Sequence, residues 1–154
     1  MRAPYAAITL TLVTVAVSGL LEAAPGNRKP RSGRARRVEY AATLAGRDGR
    51  KVTGAATARQ SGDGKGTEVT VMLDGDTPGA TRPWHVHSGS CKQSGGVVGR
   101  GRAYTPIVID AKGQGKGTVT IPVTLADTAT YYVNIHDAAA AMGIIVACGD
   151  LAKK

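Results

Sequence analysis

The chain has 154 residues and carries 20 Lys/Arg against 11 Asp/Glu, a formal net charge of +9. That length is one domain's worth once a removable leader is set aside, which excludes separate cofactor and substrate domains. Gly supplies 21 residues, about double the usual share, Phe is absent and Trp occurs once, so the core must rest on Val, Ile, Leu and Tyr, and strands and turns are favoured over helices.

At the N-terminus, Arg2 precedes the apolar stretch Ala6 to Leu21, with small residues at Ala16, Ser18, Ala23 and Ala24. This is the layout of a secretory signal peptide, assigned to residues 1–24. A short membrane anchor is the alternative, but the run falls below the ~20 residues of a span and is followed by Pro25-Gly26. The expectation is an exported chain, periplasmic or extracellular, and not transmembrane after cleavage. Residues 25–37 follow as a basic arm with Arg28, Lys29, Arg31, Arg34, Arg36, Arg37 and no acid, a composition expected to stay disordered. The arm reads as a solubilising linker or as an adhesive for anionic cell-surface polymers. Nucleic acid is not expected as a partner, because no aromatic residue interleaves these charges to stack on bases. Leader and arm hold seven of the 20 basic residues and one of the 11 acids, leaving 13 against 10 in residues 38–154.

From Val38 onward the apolar residues alternate with a period of two, between turns rich in Gly, Asp and Pro. Residues 38–151 are assigned to one all-β domain. Strands are expected at 38–45, 52–58, 67–73, 83–87, 105–109, 117–125, 131–136 and 143–148. The clearest is 117–125, with Val119, Ile121, Val123 and Leu125 on one face and Pro122 hinting at an edge or bulge. Seven or eight short strands predict a sandwich or barrel.

The chain has three histidines, and strand parity assigns each to a face. Trp84 and Val86 alternate with His85 and His87, so an inward apolar pair sends both imidazoles outward. Their Cα atoms stand ~6.6 Å apart, from which two imidazoles can reach one ion. In 131–136, Tyr131, Val133 and Ile135 share the apolar parity, leaving Tyr132, Asn134 and His136 on the other face. If these strands are neighbours, three imidazoles form a trigonal nest with an open position; otherwise His85 and His87 are a solvated polar pair. Imidazoles without thiolate or acid lean to copper, with zinc second.

Cys91 and Cys148 are the two cysteines. An even pair in an exported chain is most simply a disulfide, contributing roughly 4 kcal/mol over so long a loop; two thiolate copper ligands are the rival reading.

The body resembles the copper-zinc superoxide dismutase family over about its last 70 residues. The matching pieces are Trp84-His85-Val86-His87 followed by Gly89 and Cys91, the stretch Pro106 to Gly113 with Asp110, Asn134-Ile135-His136, and Ala147-Cys148-Gly149. The resemblance implies an eight-stranded Greek-key β-barrel, with copper on His85, His87 and His136 and a disulfide from Cys91 to Cys148. The departures are equally specific. No histidine lies between His87 and His136, Tyr104 stands where the family has a zinc-site Asp, and Ile145 stands where it has an anion-attracting Arg. No structural zinc is therefore expected, and the loops after Cys91 and His136 are too short for the family's zinc and guiding loops. Arg82, Arg100 and Arg102 are the remaining candidates for attracting an anion.

Three functions compete on these residues. The first is a copper-only dismutase of superoxide. The second is a non-catalytic module that receives copper from a donor or passes it to an acceptor. The third is a metal-free adhesive β domain displayed by the basic arm.

Overall fold

The computed structural model describes residues 38–154, so the leader (1–24) and the arm (25–37) lie outside the described residues. The strands are β1 (Glu39–Gly46), β2 (Thr53–Gln60), β3 (Thr67–Asp74), β4 (Thr81–Arg82), β5 (Trp84–Gly89), β6 (Ser94–Val97), β7 (Ile107–Val108), β8 (Gly115–Ile121), β9 (Tyr131–His136) and β10 (Ile145–Lys153). Among the described residues the helical elements are single 3-10 turns at Gly101–Ala103 and Ala139–Ala141, and no helix is long and apolar enough to cross a membrane.

Eight strands form one antiparallel sheet in the order β6-β5-β9-β10-β1-β2-β3-β8, and β4 pairs with β7 in a separate ribbon. Alternation builds the inner face: Tyr40, Ala42 and Leu44 of β1, Ala56 and Ala58 of β2, Val69, Val71 and Leu73 of β3, and Trp84 and Val86 of β5 are all buried. The sheet curls so that side chains from its two halves pack together. Trp84 of β5 lies so near β8 that a Cβ on Gly117 would come within 2.9 Å of its indole nitrogen and 2.7 Å of Ile107. The two ends of the strand order thus share one core, and Gly117 leaves the space that admits Trp84.

Two features position the functional face. β9 lies between β5 and β10, with His85 opposite Asn134 and His87 opposite Tyr132. All six of its residues are buried, so the face expected to point outward is covered. β10 carries an irregularity between Ile145 and Ala147; a bulge there lets Val146 and Ala147 both be buried and leaves Ile145 opposite His136.

Several boundaries differ from the sequence reading. The strand expected at 117–125 runs from Gly115 to Ile121: Pro122, without an N–H, ends the pairing, although Leu125 beyond it is still buried. The strand expected at 83–87 runs from Trp84 to Gly89, and Pro83 separates it from β4, a short strand outside the expected set. The segment 105–109 keeps only Ile107–Val108 as strand, 143–148 extends through Lys153, and β6 was not anticipated.

Candidate metal centre

His85 and His87 project from β5, and His136 closes β9. The placement of His136 follows from the backbone: its N–H donates to the Pro83 carbonyl at 2.8 Å, tying the end of β9 to the start of β5. His85 Nδ1 and His136 Nε2 stand 3.3 Å apart, and one nitrogen from each of the three rings lies within 4.8 Å of the others. Nitrogens bonded to one ion at 2.0–2.1 Å stand about 3.3–3.6 Å apart, so one edge already fits and the longest must close by roughly 1 Å. The three histidines can hold a metal ion.

The second nitrogen of two rings is committed to the backbone. His136 Nδ1–H donates to the Met142 carbonyl at 2.6 Å, and His87 Nδ1–H donates to the Gly95 carbonyl at 3.0 Å. This pattern assigns the lone pair of each to Nε2, the arrangement by which metal-binding histidines are usually oriented. His87 Nε2 is buried with no hydrogen-bond partner, a costly state for a polar atom that coordination to an ion would relieve. On His85 a Cβ added at Gly101 would stand 3.5 Å from Nε2, so that segment covers the Nε2 edge while Nδ1 faces His136.

Aromatic rings wall the nest. Tyr104 packs edge-on against His85 with centroids 5.1 Å apart, and Tyr132 stacks on His87 at 5.1 Å. Burial lowers the His85 pKa to about 4, helped by the neighbouring His136 and His87 rings. His136 is also lowered, chiefly by burial, although its bond to Met142 opposes the shift. Burial pushes the Tyr104 hydroxyl up to about 12, so it remains a neutral donor, bonded to the Val98 carbonyl at 2.7 Å. The lowered values of His85 and His136 favour their uncharged forms, ready to donate lone pairs.

Cys91 and Cys148 form a disulfide with Cα atoms 6.0 Å apart, which removes the alternative of two thiolate ligands. The Cys91 N–H donates to Asp150 Oδ1 at 2.7 Å, a second tie from this loop to β10. The three arginines have different fates. Arg82 is buried and contacts Asp76 at 2.6 and 2.8 Å and Asp137 at 2.7 Å. Its charge is neutralised inside the protein, so it is not an anion-attracting surface group. Arg100 and Arg102 are exposed on either side of Gly101, and neither joins an ion pair among the described residues.

Sequence reasoning missed the supporting groups. The Met142 and Gly95 carbonyls carry no side-chain signature, and the Arg82–Asp137 ion pair joins residues 55 apart in sequence. Tyr132 was the one group whose parity already set it beside the histidines. No family model matches the chain, and no curated protein matches it.

Proposed function

We propose that residues 38–151 form a copper domain of the copper-zinc superoxide dismutase kind, a Greek-key barrel lacking the zinc site, which is exported and disproportionates superoxide at His85, His87 and His136. The observation that carries this reading is the convergence of three imidazoles, one with a buried and unpartnered Nε2. Non-sequential neighbours in an eight-stranded antiparallel sheet and the Cys91–Cys148 bond support it. A nitrogen-only donor set favours copper, with zinc second.

Copper held by His85, His87 and His136 would supply the one-electron redox chemistry by which two superoxide anions and two protons become dioxygen and hydrogen peroxide. The chain's own residues hold and orient. The Met142 and Gly95 carbonyls set the tautomers of His136 and His87, while Tyr104 and Tyr132 pack against the rings. Among the described residues no acid joins the cluster, so water is the proton source. Arg100 and Arg102 provide the positive field for a small anion.

The test is copper content and superoxide turnover on one purified sample, beside His136→Ala. The expected result is one copper per chain and turnover above that of free copper, both lost in the variant. Turnover equal to the free-copper background overturns the enzyme. The second reading, a copper carrier, is favoured by the exposed apolar residues Val97, Met142 and Ile144 on segments beside the centre, which suit docking of a protein partner. Tight Cu(I) binding, ready transfer to an acceptor and no turnover would establish that reading instead.

A further inference from the structure

His136 lies where its ladder ends. The pairing of β5 with β9 runs from Ser88 opposite Tyr131 to Trp84 opposite Ile135, one residue short of it. On its other side His136 stands opposite Ile145, where the pairing with β10 is irregular. Toward β5 its N–H donates to the Pro83 carbonyl, but proline has no N–H with which to return the bond.

A side chain takes over where the backbone pairing stops. Arg82, directly before Pro83, donates from Nη1 to the Asp137 carbonyl and to Asp137 Oδ1, both at 2.7 Å. Its Nε and Nη2 donate to the two oxygens of Asp76 at 2.8 and 2.6 Å, the bidentate pairing that a planar guanidinium favours. Asp76 is fixed in turn, its N–H donating to the Gly113 carbonyl at 3.1 Å and its Oδ1 accepting the Thr77 N–H at 2.7 Å. Asp137 opens a loop that its own N–H closes on the Ile144 carbonyl at 2.9 Å, and this loop carries the Met142 carbonyl to which His136 Nδ1–H donates. The Arg82 and Asp76 side chains are 7% and 2% exposed. An ion pair buried so deeply returns little net stability, and holding one geometry is its best-attested use.

We propose that Arg82 is a positioning residue for the metal centre: anchored on Asp76, it fixes the backbone just after His136 and the loop 137–144, and through them the direction of the His136 lone pair. Rings that converge on one ion must be held to within about 0.5 Å, and His85 Nδ1 already stands 3.3 Å from His136 Nε2. The inference deepens the copper reading and rests on it for the metal, whereas the orientation of His136 is also a property of the metal-free chain.

The experiment compares two variants of the full chain. Arg82→Met/Asp76→Asn removes both buried charges, and Arg82→Lys keeps a cation beside Asp76 but lacks the fork that spans both acids. Val69→Ala, a truncation in the core on β3 that is separated from β9 in the strand order, is the control for lost stability alone. Without metal, nitrogen NMR of the imidazoles should show His136 as a single Nδ1–H tautomer in the wild type and in Val69→Ala, and as a mixture of tautomers in both Arg82 variants. With copper, both Arg82 variants should bind about 10- to 100-fold more weakly and shift the Cu(II) hyperfine splitting in EPR, whereas Val69→Ala keeps the wild-type values. The proposal is overturned if the Arg82 variants keep the single tautomer or the wild-type copper affinity, or if Val69→Ala changes as they do. Should the double variant fail to fold, Arg82→Lys decides the matter. If the wild-type chain takes no copper, the copper reading fails by itself, and the tautomer of His136 still decides whether Arg82 positions it.

Discussion

His85 is where the centre makes the fold sensitive to acid. Free histidine titrates near 6.5, but burial and the two neighbouring rings hold His85 at about 4. Between those values the unfolded chain binds a proton that the folded chain does not, so acid favours unfolding. His136, lowered mainly by burial, acts in the same direction. The metal-free protein should therefore lose stability as pH falls from 6.5 to about 4, and His85→Gln should flatten that part of the curve. A Tm series across the range checks this, and a flat wild-type profile would refute it. Arg82 belongs to the same scale. Burial pushes the Asp76 carboxyl up, but hydrogen bonds from Arg82 and the Thr77 N–H outweigh it and hold the group below its ordinary value. The Asp76 side chain is only 2% exposed, so Arg82→Met strands a carboxylate in the interior. A loss of about 3–5 kcal/mol is expected by urea unfolding, partly recovered by adding Asp76→Asn.

Single strands decide how well the centre is held, and here the sequence was legible on one face and silent on the other. Parity set Trp84 and Val86 apart from the histidines because an inward face needs large apolar side chains. It was silent on β6, whose Ser94-Gly95-Gly96-Val97 has no buried residue and so no pattern to read. Yet Gly95 supplies the carbonyl that orients His87. It was equally silent on Gly115 and Gly117, which took part in no apolar count but leave room for Ile107 and Trp84. These two kinds of glycine predict different outcomes. A Cβ on Gly95 would stand 2.5 Å from Ser88 O, so Gly95→Ala should displace an exposed edge strand with little change in Tm. It should nevertheless weaken copper binding about 10- to 100-fold, as loss of an orienting partner does. Gly117→Val drives side-chain atoms into Trp84 and Ile107, and should cost about 1–3 kcal/mol of stability through overpacking. Copper titration and urea unfolding on both variants separate the two effects, and equal stability losses would contradict the distinction.

For the molecule as a whole, the disulfide and the metal act on the same balance. Cys91 and Cys148 are 57 residues apart in sequence, and joining them removes freedom from the unfolded chain worth about 4 kcal/mol in the entropy model. Domains of this size are stable by only about 5–15 kcal/mol, so the reduced, metal-free protein should stand near the edge of folding, its Tm lower by on the order of 15 °C. The disulfide ties β10 to the loop preceding β6, and the histidines clamp β5 to β9. An ion bound only by the folded state would thus replace a lost covalent staple with a coordinate one. At free copper a thousandfold above its dissociation constant, mass action returns about 4 kcal/mol, roughly the contribution of the bond. Cys91→Ser/Cys148→Ser, which avoids reductant and its reaction with copper, should therefore melt far below wild type without metal and approach the wild-type Tm with copper. His136→Ala added to that pair should abolish the recovery. If copper leaves the Tm of the double cysteine variant unchanged, the three imidazoles do not grip an ion in the folded protein.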